Sequence, residues 1–155
     1  MFNILRPLIF KFSPEVAHSL AIKALKLNNI PYSKPKDNHI LETTFCEKKL
    51  SSPIGVAAGF DKNAEVYNPL FNLGFGFVEV GTITPKPQFG NPKPRVFRLE
   101  EDEALINRLG FNNSGSEQIS KRIKENNKKG FLGINIGPNK DSTNRIEDYL
   151  ICFRK

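Results

Sequence analysis

The run PIGVAAGFDKNAE (residues 53–65) carries an apolar, strand-like segment into a glycine and then sets an aspartate beside a lysine, Asp61 and Lys62. Small residues at a strand end let a flat ligand approach the backbone, and an ammonium group just beyond can pair with a carboxylate or phosphate. An isolated Asp-Lys pair is also an ordinary pair of solvated loop charges, so the residue types leave both readings open. GTITP (residues 81–85) brings the hydroxyl of Thr82 and free backbone N–H groups to a second strand end, in a sequence that is also plain turn chemistry. INRLGFNNSG (residues 106–115) sets Asn107, Asn112 and Asn113 around Phe111, which gives amide donors and acceptors beside an aromatic face. That combination suits a small planar heterocycle with several carbonyls, and it equally suits an Asn/Gly turn before a helix. Asn135, within FLGINIG, adds an amide at a third strand end.

The elements that must position these groups follow from pattern. Residues 1 to about 30 read as two short, basic, apolar helices. Leu5, Leu8, Ile9 and Phe12 lie at helical spacing, and Ser13-Pro14 is an N-cap with proline at the first helical position. Val16, Leu20, Ile22, Ala24 and Leu25 continue the stripe, which fits either a small cap on a domain or a membrane-surface element. NIPYSKPKDN (residues 29–38) is a linker. Short strands around a turn at residues 47–49 precede the strand of residues 53–59. EVYNPLFNLG reads as a helix closed by Gly74 with Pro69 an irregularity inside it, and FGFVEVGTITP as a second buried strand. After a long insertion, residues 116–129 form a basic amphipathic helix ended by Gly130. FLGINIG is a third strand, and NRIEDYLICFRK opens a third helix. Strand–helix repetition predicts an α/β fold with a parallel sheet. Without GxGxxG or GxxxxGK[ST], neither a dinucleotide Rossmann fold nor a P-loop is indicated. Polar segments at the C-terminal end of every strand are the habit of a (β/α)₈ barrel, of which three units are a part.

Composition bounds the rest. A chain of 155 residues with 39% hydrophobic and 25% charged residues is globular in character. A net charge of +7 permits nucleic acid, anionic lipid or an acidic ligand as partner. The lysines are scattered and no RRM, KH or helix-turn-helix signature occurs, so nucleic acid is not expected. Two distant cysteines, Cys46 and Cys152, support neither a disulfide framework nor a metal site, and point to a reducing cytoplasm. No apolar run reaches the ~20 residues of a membrane span. The start MFNILRPLIFKF is interrupted by Arg6 and Pro7 and does not read as a signal peptide.

GVAAGFDKNAE, GFGFVEVGTITPKPQFGNPKPRVFRL, LINRLGFNNSG and LGINIGPNK followed by EDYL, in that order, resemble class 2 dihydroorotate dehydrogenase from about residue 12 to the end. That family is a flavin enzyme that oxidises dihydroorotate to orotate in pyrimidine synthesis and passes electrons to a membrane quinone, ubiquinone or menaquinone. The resemblance implies a partial (β/α)₈ barrel over residues 38–155, preceded by a helical quinone-tunnel extension and linker over residues 1–37. It implies FMN contacts at Ala58, Gly59, Phe60, Asp61, Lys62, Thr82 and Asn135. Lys62 would also meet the orotate carboxylate. Asn107, Arg108, Leu109, Gly110 and Phe111 match the substrate loop, with Asn107 bonding the pyrimidine ring. His18 and Arg98 fall at tunnel positions. A peripheral site on the cytoplasmic face of the bacterial inner membrane follows, with no metal.

Two departures stand out. GPNK carries Pro138 where the family usually has lysine, a variation expected to be tolerated because Asn135 is intact. The family is also about twice as long, and its catalytic serine, the base for the dihydroorotate C5 proton, lies in a later segment not matched within residues 1–155. The 155 residues alone are therefore expected to be inactive and to expose a sheet edge. A basic αβ fragment binding anionic lipid or nucleic acid, and a non-functional remnant, are the competing readings.

Overall fold

In the computed structural model, which describes residues 2–27, 39–127 and 130–155, the chain opens with two helices, α1 (Phe2–Ile9) and α2 (Pro14–Lys26). Pro14 begins α2, as its fixed φ favours. Ser13 precedes it, but its hydroxyl makes no capping bond; the Ser13 carbonyl instead accepts the Ala17 N–H. Ile22 and Leu25 are the buried face of α2, whereas Val16 and Leu20 stay about half exposed. The linker expected at residues 29–38 lies outside the described residues.

Strands β1 (Thr43–Phe45) and β2 (Lys48–Leu50) form a hairpin whose turn is Cys46–Glu47, one residue before the expected position. Both turn residues have positive φ, 48° and 61°, as a two-residue turn matched to strand twist requires. The parallel sheet follows. Strands β3 (Gly55–Val56), β4 (Phe77–Ile83) and β7 (Phe131–Ile136) lie in the order β3-β4-β7, all parallel. Helix α3 (Tyr67–Asn72) connects the first pair. It starts two residues later than the sequence suggested, so Pro69 falls in its first turn, where no N–H is needed.

The insertion after β4 contains an antiparallel hairpin, β5 (Val96–Leu99) with β6 (Ala104–Asn107), that the sequence reading did not anticipate. Beyond it come α4 (Ser116–Glu125), β7 and α5 (Arg145–Arg154). Helix α4 ends at Asn126 in extended conformation rather than running to Gly130. Asn126 Nδ2 bonds the Arg122 carbonyl, which satisfies a C-terminal acceptor without a glycine. Asn144 caps α5 by accepting the Glu147 N–H.

One core joins these pieces. Val78 and Val80 on β4, Ile119 on α4, Val66 before α3, and Ile22 and Leu25 of α2 are all buried in it. The N-terminal helices therefore pack on the barrel segment, through α2.

Candidate functional site

The C-terminal ends of β3 and β4 are stitched together by backbone. Gly59 N–H donates to the Gly81 carbonyl (2.8 Å), and Gly81 N–H donates to the Asp61 carbonyl (3.1 Å). Gly81 has φ +112°, and a Cβ there would lie 2.4 Å from the Asn135 carbonyl oxygen, so only glycine lets β7 come so near. At Gly59 (φ +107°) a Cβ would meet nothing within 4 Å. The backbone there faces open space.

Asp61 is 1% exposed, and its carboxylate turns inward to accept the N–H groups of Glu65 (2.7 Å) and Val66 (2.8 Å). Burial raises its pKa, and the backbone donors partly offset that. This carboxylate shapes the turn that presents Lys62; what Asp61 offers outward is backbone. Lys62 is half-buried, and desolvation lowers its pKa. Asn63 anchors the other end of the segment: its Oδ1 accepts the Ser114 N–H (2.9 Å), and its carbonyl accepts Arg122 Nη1.

Above this segment lies a cavity of about 670 Å³. Gly59, Phe60, Asp61 and Lys62 form one side, His18 and Ile22 of α2 another, and Arg98, Asn107, Leu109 and Asn112 a third. His18 meets the Phe60 ring edge-on, centroids 5.2 Å apart at 82°. Arg98 donates to the carbonyls of Phe12 (2.9 Å) and Phe10 (3.4 Å) and lies over the Phe10 ring at 4.4 Å. It ties the segment between α1 and α2 to β5. Asn112 Oδ1 is buried with no protein partner, an acceptor left open beside the cavity.

A second group sits at the strand ends. Thr82 Oγ1 donates to Asn135 Oδ1 (2.7 Å), and Asn135 Nδ2 donates to Glu79 Oε1 (2.9 Å). The other Glu79 oxygen accepts the Ala58 N–H at 3.4 Å. One carboxylate within an otherwise apolar strand thus links all three strands, and that intrusion into FVEVG was the available signal for it.

Of the expected substrate loop, Asn107 and Leu109 face the cavity. Arg108 turns aside, donating to the Pro94 carbonyl (3.1 Å) and lying 5.9 Å over Phe97. The Gly110 carbonyl accepts Gln88 Nε2 (3.1 Å). Phe111 is about half exposed at φ +51°, outside the residues that line the cavity. Asn113, buried, ties the loop down by accepting from Thr84 and Gly115 N–H and donating to Thr84 Oγ1 and the Phe111 carbonyl. The sequence reading also missed the ion pair of Arg95, which is buried, with Glu15, a partly buried residue of α2 on the wall of the same cavity. Among the described residues no cluster of metal-ligating side chains occurs.

A parallel three-strand segment with its polar groups gathered at the strand C-termini is part of a (β/α)₈ barrel. The family model "Dihydroorotate dehydrogenase" matches residues 40–155, and the chain belongs to that family. It is 52% identical over 147 residues to a "Dihydroorotate dehydrogenase (quinone)" of Rhizobium etli, covering 95% of this chain and 41% of that protein. A protein of the same name from Erythrobacter litoralis is 50% identical over 156 aligned positions, covering 100% and 45%. The crystal structure of DHODH from Eimeria tenella in complex with ferulenol superposes with a TM-score of 0.82 at 43% identity, over 88% of this chain and 39% of that one. The chain spans under half the length of the relatives it matches.

Proposed function

We propose that this chain supplies the helical extension (residues 1–37) and the first three β/α units (residues 38–155) of a quinone-dependent dihydroorotate dehydrogenase. That enzyme oxidises dihydroorotate to orotate and passes the electrons to a membrane quinone, ubiquinone or menaquinone. The observation that carries the reading is the shared cavity, in which α2 faces the 59–63 segment across one space with Lys62 and His18 on its walls.

The donor set fits part of an FMN cradle. Gly59 leaves open space where a ring can approach, Thr82 and Asn135 present a hydroxyl and an amide, and Asn112 offers an unpaired acceptor. Ala58, Gly59, Phe60, Asp61 and Lys62, with Thr82 and Asn135, would hold FMN. The flavin supplies the two-electron chemistry between substrate and quinone. Lys62 binds the carboxylate of the substrate, a charge-assisted contact strengthened by its partial burial. Asn107, held on β6, bonds the ring, and the rest of the loop to Phe111 positions it. His18 and Arg98 line the quinone path. The serine base belongs to a segment outside these 155 residues, so no proton abstraction is assigned within them.

The outer faces of α1 and α2 support a peripheral membrane site. Leu5, Leu8, Phe12 and Leu20 are exposed, with Arg6, Lys11 and Lys23 beside them. Apolar residues flanked by lysine and arginine suit a helix lying in the interface of an anionic membrane, here the cytoplasmic face of the bacterial inner membrane. No described helix is long and apolar enough to cross a bilayer.

The test is dihydroorotate-dependent reduction of a lipophilic quinone by the complete enzyme carrying these residues, with the flavin spectrum recorded. A protein that binds FMN and folds but never reduces quinone from dihydroorotate overturns the assignment.

A further inference from the structure

We infer that Arg95 is a positioning residue that couples the two ends of the proposed active site, tying helix α2 to the loop that carries Asn107. The inference rests on the functional reading above for its kinetic consequences, and on geometry alone for the coupling.

Arg95 is 6% exposed, and all three of its side-chain nitrogens are engaged. Nε and Nη2 both donate to Glu15 Oε1 (3.0 and 2.9 Å). Nη1 donates to the carbonyls of Phe89 (2.6 Å) and Asn91 (3.0 Å). Glu15 stands in the first turn of α2, three residues before His18 and so on a neighbouring position of the same helix surface. On the other side, the 88–91 loop is fastened to the substrate-side loop. Asn91 N–H bonds the Leu109 carbonyl (3.0 Å), Asn91 Nδ2 bonds the Arg108 carbonyl (2.8 Å), and Gln88 and Asn113 exchange backbone bonds (3.1 and 3.0 Å). Arg95's own carbonyl accepts the Arg108 N–H at 2.8 Å.

The junction has no slack. A Cβ at Gly90 would lie 2.1 Å from the Leu109 carbonyl oxygen and 2.8 Å from Arg95 Nη1. Movement of α2 must therefore pull on Arg95, and movement of Arg95 on the Asn107 loop. A planar guanidinium can reach a carboxylate on one side and two carbonyls on another, which one ammonium cannot. The Arg95 hydrogen bonds lower the Glu15 pKa, which favours the carboxylate form that the guanidinium holds. Buried ion pairs are weak stabilisers compared with apolar packing, and their best-attested use is to fix register. Here the register is that of the quinone-side helix against the substrate-side loop.

The experiment uses a complete enzyme made by joining these 155 residues to the remaining barrel of the Rhizobium etli relative. Arg95→Lys should retain FMN absorbance while raising KM for both dihydroorotate and quinone by about three- to tenfold, the scale of mutations within a coupling network. Glu15→Gln leaves the two carbonyl bonds of Arg95 in place and should raise KM for quinone only. Asn91→Ala cuts the side chain's link to Arg108 and should raise KM for dihydroorotate only. These two milder variants keep the test alive should Arg95→Lys fail to fold. Unchanged KM values alongside a lowered Tm would reduce Arg95 to a structural residue and overturn the inference. If the parent chimera folds yet has no activity, the functional reading fails. Hydrogen exchange then decides the coupling: Arg95→Lys must deprotect residues 14–26 and 107–113 together, and deprotection of one segment alone overturns it.

Discussion

Lys62 Nζ lies 3.5 Å from Nε2 of His18, so the barrel rim and helix α2 meet through an ammonium and an imidazole. Two cations at that distance repel, and the contact therefore requires neutral His18. Desolvation lowers the His18 pKa, the Lys62 charge lowers it further, and Glu15 opposes both. A histidine whose folded pKa is depressed favours the neutral form, and its contribution to stability is fully present above the unfolded value. The prediction is that α2 docking is intact above pH 6.5 and weakens as pH falls through 6.5 to the lowered folded value. Imidazole chemical shifts across a pH titration of the complete enzyme measure this. A His18 midpoint at or above 6.5 contradicts it.

Lys62→Ala in the complete enzyme should weaken dihydroorotate binding. The substrate carboxylate would lose its cationic partner in a partly dry site, a contact worth about 1.5–3 kcal/mol. Steady-state kinetics should show a raised KM. Values of KM and kcat equal to wild type would remove Lys62 from the site.

The sequence was most legible where chemistry and backbone demands coincide. GFDK, GTIT and GINIG each mark a strand end, and the structure places all three at the C-terminal ends of one parallel sheet. The hairpin of β5 and β6 was hidden because its turn region, EEDE, is acidic rather than Asn-Gly, and because β6 exposes its apolar residues on both faces instead of alternating with polar ones. Asp61 illustrates a different limit. Residue type suggested an outward charge beside Lys62, but two unpaired N–H groups ahead of α3 drew its carboxylate inward. Arg95 and Glu15 lie 80 residues apart in sequence, and no local pattern announces such a pair.

Deleting residues 1–30 from the complete enzyme should abolish turnover with a long-chain quinone while leaving flavin bound. Helix α2 contributes His18 and Ile22 to the cavity wall, and Arg98 is anchored on the carbonyls of Phe10 and Phe12. The strand-end group of Ala58, Thr82, Glu79 and Asn135 draws nothing from those helices. Normal rates with a lipophilic quinone after the deletion would remove the helices from electron transfer.

The 155 residues on their own should bind no flavin. Strand β4 is paired on both sides, but β3 and β7 each pair on one side only among the described strands. Beside β7, Ile123, Ile134, Ile136, Cys152 and Phe153 line an apolar groove of about 410 Å³ between α4 and α5. Ile134 is 46% exposed, Ile146 74% and Phe153 81%, an apolar surface that a following strand and helix would cover. An open strand edge beside such a surface invites association with other chains. A complete domain has a stability margin of only about 5–15 kcal/mol, and this piece forgoes most of the barrel core that would supply it. The cofactor side points the same way. In the proposed cradle Gly59, Thr82 and Asn135 would contact only part of a flavin. The purified 155-residue protein should therefore be colourless, prone to aggregate, and without dihydroorotate-dependent dye reduction. A yellow, soluble monomer that keeps stoichiometric FMN through gel filtration would falsify this.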